Sequence, residues 1–108
     1  MLPMSVFSEP NNQENPLALE YELQLFIAGH TPKSVAALRN IREICELHLK
    51  DRHQLTVVDV HEHPEQAQQE ELIGLPTLIK KRPGLVRRLV GDLSERERVL
   101  KALGLAVS

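Results

Sequence analysis

Residues 21–28, YELQLFIA, alternate along the chain. Tyr21, Leu23, Leu25 and Ile27 point one way, and Glu22, Gln24 and Phe26 the other, a period of two that predicts a strand. From Ser34 to Lys50 the period changes. Val35, Leu38, Ile41, Cys45 and His48 or Leu49 recur at steps of three and four, the spacing of one helix face. Thr31 is a good N-cap ahead of that helix, and Pro32 fits its first position. Residues 55–60, LTVVDV, form a short apolar run that suits a strand covered on both faces. Strand, helix and strand then make a βαβ unit with parallel strands.

The second half is shorter in every element. Residues 64–72 open with Pro64 and read as a short polar helix. Pro76 precedes a run at 77–81. Arg82, Pro83 and Gly84 make a turn, and 85–90, LVRRLV, returns as a hairpin partner. Gly91 and Asp92 break that strand. Ser94 and Glu97 have capping-box spacing ahead of a last helix. Val99, Leu100 and Leu103 form its inner face, and Gly104 ends it. The predicted order is β-α-β-α-β-β-α, a single α/β domain over 19–108. Residues 1–18, rich in Asn, Glu, Pro and Ser, read as a flexible arm.

Composition changes this picture little. The chain has 108 residues and a formal net charge of −2, with no Trp. That charge gives no general pull towards nucleic acid or an anionic membrane. Nothing resembles a signal peptide, and no apolar run is long enough to span a bilayer. Together with the single cysteine, this predicts a cytoplasmic protein.

Candidate chemistry is sparse. Cys45 stands alone on the apolar helix face and reads as a core residue rather than a reactive thiol. His61, Glu62, His63 and Glu65 are possible metal ligands in type, but a third close ligand for the two imidazoles is missing from the local sequence. The polar-loop reading is therefore preferred, and no cofactor is implied. Lys80, Lys81, Arg82, Arg87 and Arg88 make a basic patch on the hairpin. It reads either as a guarded sheet edge or as a docking surface for an acidic partner. Nucleic acid is disfavoured, because no aromatic residues interleave with the charges.

The element order is thioredoxin-like, and GLPTL at 74–78 resembles a thioredoxin proline loop. AGHTPKS at 28–34 stands where that family carries two cysteines, but Thr31 and Ser34 occupy the places. A C-x-x-C redox mechanism is thereby excluded. A redox protein working through Cys45 alone is the alternative reading.

A-G-x-T-P-x-S at 28–34, P-T-L at 76–78 and G-D-L-S-x-R-E at 91–97 together resemble the KaiB family, from Tyr21 to about Leu105. That resemblance implies a non-enzymatic regulator docking on a KaiC-like, RecA-type ATPase and modulating its phosphorylation or ATPase state. It implies competition with the thioredoxin-like domain of a sensor histidine kinase. It also implies a homo-oligomeric free form, and a C-terminal half able to switch fold around Gly29, Pro76, Gly91 and Asp92. Lys80, Arg82, Arg87 and Arg88 are the candidate partner-binding residues. Three departures from the clock proteins suggest a stress-adaptation member: no acidic C-terminal tail, Arg82-Pro83-Gly84-Leu85 at the proline-rich turn, and Ala36 in place of an Arg.

Overall fold

The computed structural model describes residues 20–105; the expected arm at 1–18 lies outside them. The chain runs β1 (Tyr21–Ile27), α1 (Pro32–His48), β2 (His53–Asp59), α2 (Pro64–Glu70), β3 (Thr77–Arg82), β4 (Arg87–Val90) and α3 (Arg96–Ala102). The sheet order is β2-β1-β3-β4. β1 pairs parallel with β2, Leu23 opposite Leu55. It pairs antiparallel with β3, Leu25 opposite Leu78, and β3 pairs antiparallel with β4. This is the thioredoxin-like order that the hydrophobic pattern predicts.

The alternation in β1 divides the core. Leu23 and Leu25 join Ile41 and Ile44 of α1, Leu78 of β3, and Val99 and Leu103 of the α3 segment in one cluster. Phe26, on the opposite face, packs with Val58 and Ile79, against Val60 and Leu72. Each fully buried Leu, Ile or Phe contributes about 1.5–3 kcal/mol relative to exposure. Most of that apolar burial lies on the α1 and α3 side of the sheet.

Three local expectations are corrected. β2 is an edge strand, not one covered on both faces: Val58 alone in it is buried, and Gln54, Thr56 and Val57 are exposed. An apolar run records composition; β1 takes the covered place because it pairs on both sides. The buried face of α1 is Ser34, Ala37, Ile41, Ile44 and Cys45, while Val35 is 48% exposed. Ser34 turns inward because its Oγ accepts from the Ala28 N–H at 3.0 Å and from the Thr31 hydroxyl at 2.9 Å. Inward rotation of Ser34 carries its neighbour Val35 outward.

The third correction concerns α3. No Ser94 capping box forms: the N-cap is Glu95, which makes no side-chain cap bond. The Ser94 N–H instead donates to Asp92 Oδ1 at 3.0 Å, an Asx-type turn. At the other end, Gly104 has φ +77°. Its N–H reaches the Lys101 carbonyl at 3.0 Å, and the Leu105 N–H reaches Leu100 at 2.7 Å, the Schellman pattern. Gly104 therefore ends the helix as expected.

Candidate functional site

The loop after β1 explains the A-G-x-T-P-x-S spacing. Gly29 sits at φ +57°, a left-handed conformation that Gly adopts at no steric cost. Its N–H donates to Asp59 Oδ1 at 3.2 Å, and the His61 N–H donates to the same oxygen at 3.0 Å. Those backbone donors, His61 first, hold the Asp59 carboxyl below its ordinary range. Thr31 caps α1, its Oγ1 accepting from the Ser34 N–H at 3.3 Å. Both hydroxyls at the thioredoxin thiol positions are thus engaged in holding the loop and the helix start.

Pro76 follows a cis peptide bond and lies one residue ahead of β3. The register sets Phe26 opposite Thr77 and Thr77 opposite Val90, so the loops at 28–31, 74–76 and 91–93 gather at one end of the sheet. The Gly91 N–H donates to the Pro76 carbonyl at 2.9 Å. Asn40 of α1 donates from Nδ2 to the Asp92 carbonyl at 2.8 Å. Gly91 at φ +124° and buried Leu93 at φ +62° flank that tie. Of the expected structural residues, Pro76 and Gly91 are joined by a backbone bond, Asp92 is tied to α1 through Asn40, and Gly29 is tied separately to Asp59. Thr77 adds a bond from Oγ1 to the Gly74 carbonyl at 2.6 Å.

The basic residues are at other places, and they do not form one patch. Lys80 is only 6% exposed. Its Nζ donates to the carbonyls of Pro83 and of Leu85, the latter at 2.6 Å, and so closes the hairpin turn from inside. Burial, with Arg87 nearby, pushes its pKa down. Lys80 is corrected from a surface docking residue to a turn-closing one. Arg82 pairs with Glu22 at 3.2 Å. Arg88 donates to the Glu70 carbonyl at 2.6 Å and lies 3.4 Å from its Oε1, while Lys81 reaches Oε2 at 2.7 Å. Arg87 is exposed, with no ion-pair partner among the described residues.

Sequence reasoning missed Glu70, which joins α2 to β3 and β4. An acid ending a polar helix gives no sign of which strands will meet it. It also missed Leu85, 72% exposed, and Val86 beside Arg87 at the hairpin tip. Their signal was present: apolar residues within a turn and at the start of a short edge strand.

Cys45 is buried, and its thiol is pushed up to about 11, by burial first and Glu46 second. A nucleophilic thiol needs the opposite shift. His61 lies 3.7 Å from Asp59 and His63 3.8 Å from Glu65. No group of three or more His, Cys, Asp or Glu converges as a metal site would require among the described residues. No described helix is long and apolar enough to cross a membrane.

A thioredoxin-like domain with hydroxyls at the thiol places defines the class. Solved structures agree on the fold. Mitochondrial thioredoxin 3 of Saccharomyces cerevisiae aligns with TM-score 0.62 at 16% identity, covering 83% of this chain and 87% of that one. The N-terminal domain of Synechococcus elongatus SasA aligns at 0.65 and 24% identity, covering 94% and 95%. The KaiB domain model matches residues 24–105. The circadian clock oscillator protein KaiB of Trichodesmium erythraeum is 43% identical over 91 residues, 84% of this chain and 88% of the relative. That of Thermosynechococcus vestitus is 44% identical over 90 residues, 83% of each. The chain belongs to the KaiB family.

Proposed function

We infer that this protein is a non-catalytic regulator that docks on a KaiC-like ATPase and alters its phosphorylation or ATPase state, in a clock or stress-adaptation system. One observation carries the reading. At the positions where a thioredoxin would do chemistry, Thr31 and Ser34 are tied into capping and loop hydrogen bonds. The scaffold is kept while the reactive group is replaced, which leaves its surfaces to act. Curated relatives named as circadian clock oscillator proteins support the same direction. The N-terminal domain of Synechococcus elongatus SasA shares the fold.

The hairpin is the proposed contact. Leu85 and Val86 offer exposed apolar area in the turn just ahead of Arg87, where β4 begins as the sheet's edge strand. Arg82 and Arg88 flank it, each partly neutralised by Glu22 or Glu70. An acidic partner surface would meet Arg87 first. The partner-bound form is the thioredoxin-like monomer, and the free form populates a second arrangement of the C-terminal half.

The test is association of the purified protein with a KaiC-type ATPase from the same organism. Arg87→Glu should slow association about tenfold at low salt and leave the fold intact. The gap should shrink as salt rises and screens charges beyond about 8 Å. Absence of any complex, for a wild-type protein shown to be folded, would remove the reading.

A further inference from the structure

The hairpin and the end of α3 enclose a cleft of about 360 Å³. Lys80, Arg87 and Lys101 line it, with Tyr21, Leu85 and Leu103; among the described residues no Asp or Glu does. The groove on the outer face of α1 is different, since Arg39 and Arg42 stand there with Glu43 and Glu46. None of Lys80, Arg87 and Lys101 makes an ion pair among the described residues, and Glu97, one turn before Lys101 on α3, does not reach it as one. The register sets Lys80 directly opposite Arg87 across β3 and β4. Like charges so placed are destabilising. Lys80 is also buried, and both that burial and Arg87 act against its charge. The carbonyls of Pro83 and Leu85 take two of its three N–H groups. The Leu103 carbonyl is taken by the Tyr21 hydroxyl. The acceptors at this cleft are therefore engaged, while its positive charges are not.

We propose that the cleft binds a small oxyanion of the phosphate class, a diphosphate group by preference, with Arg87 and Lys101 at the rim and Lys80 beneath them. A guanidinium fork can hold two oxygens of one phosphate, and a lysine serves as a point charge beside it. Three cations with no carboxylate among them favour a multiply charged anion over chloride. Such an anion would also relieve the repulsion between Lys80 and Arg87. The site does not rest on the docking reading, because no ATPase is needed for it. The two share Arg87, so an anion held here would oppose an acidic partner.

Titration of the isotope-labelled full chain, alone, with inorganic pyrophosphate at low salt tests this by NMR. Amides at 84–87 and 101–104 should shift together along one saturable curve. Arg87→Gln and Lys101→Gln should each weaken binding about tenfold, the worth of one hydrogen bond to a charged group. Both residues are exposed, so the fold should survive either change. Arg39→Gln removes the same charge from the outer face of α1 and should leave the curve as it was. Sodium chloride at equal ionic strength should give no such curve. ADP should bind through its diphosphate, and adenosine should not. Shifts that never saturate, or that persist unchanged in both folded variants, would overturn the proposal. So would adenosine binding as well as ADP, or an Arg39→Gln loss equal to that of Arg87→Gln, which would leave net charge as the whole attraction.

Discussion

The two halves of the chain are held in different ways. From β1 to β2 the fold rests on one long helix, capped by a Thr31 side chain, with five buried residues facing a central strand. From α2 to α3 the helices have seven residues each. α2 buries none of its residues, α3 buries only Val99, and neither has a side-chain cap bond. Helices of this length have little stability of their own. They are kept in place by individual polar ties: Glu70 to Lys81 and Arg88, Asn40 to Asp92, and Tyr21 Oη to the Leu103 carbonyl at 2.9 Å. Within the second half, the run at 91–93 holds Gly91 at φ +124° and Leu93 at φ +62°. The second half also gives Leu78, Leu89, Leu93, Val99 and Leu103 to the core, but its two short helices depend on separable ties that can rearrange while α1 stays whole. This is the physical support for proposing a fold switch in the C-terminal half.

The largest effect should come from the first half. Ile41 is fully buried among both helices and the sheet. Ile41→Ala should cost about 2–5 kcal/mol, and denaturant melts should show the whole chain unfolding in one transition. Unfolding of the C-terminal half alone would break the comparison.

Next comes Gly91→Ala. At φ +124° a side chain is strained whatever space surrounds it, and here the space is open. The variant should lose about 1–3 kcal/mol from the thioredoxin-like arrangement. NMR should then show a second set of peaks confined to the C-terminal half, absent or weaker in the wild type. Loss spread evenly over both halves would assign Gly91 to general stability instead.

Tyr21→Phe should act similarly but by about 1 kcal/mol, the net worth of one buried hydrogen bond. Its hydroxyl joins the first strand to the carbonyl at the end of α3. Amides near Leu103 should exchange faster in the variant while those of β1 keep their protection.

Acid should give the smallest effect, and it should favour neither half. The Asp59 carboxyl is lowered by the His61 and Gly29 N–H groups, and Asp92 by Ser94. A carboxylate whose folded pKa is depressed adds stability above its unfolded value, near 3.8 here, and that stability drains as pH falls through the folded value. Both loops should therefore loosen only below about pH 4. Asp59→Asn and Asp92→Asn should each flatten part of that acid limb. A stability curve unchanged by both variants would contradict the hydrogen-bond roles assigned to them.

Much of this was legible in the sequence, because period and punctuation are local. The alternation of β1, the Thr31-Pro32 helix start, and the Gly91 and Gly104 breaks all report on neighbours in the chain. Cys45 was placed in the core by its helical phase. What failed depended on tertiary position. LTVVDV carries no mark of being at the sheet edge. Ser94 has the right spacing for a cap but loses it to the Asp92 turn. Lys80 appeared to belong to a charged surface, yet it is turned inward by two turn carbonyls. The inward turn of Ser34 was not read, because its hydroxyl is the acceptor for the Ala28 N–H, a partner set by the fold. The loop positions Gly29, Pro76 and Gly91 carry local punctuation that the sequence shows, while Glu70 and the Leu85-Val86 tip were missed.

Native-state hydrogen exchange of the free wild-type protein tests the contrast between the halves most directly. The account predicts two tiers: amides of α2, α3 and β4 opening together at a lower free energy than those of Leu23, Leu25 and Ile41. A single tier, with α3 as protected as α1, would contradict it.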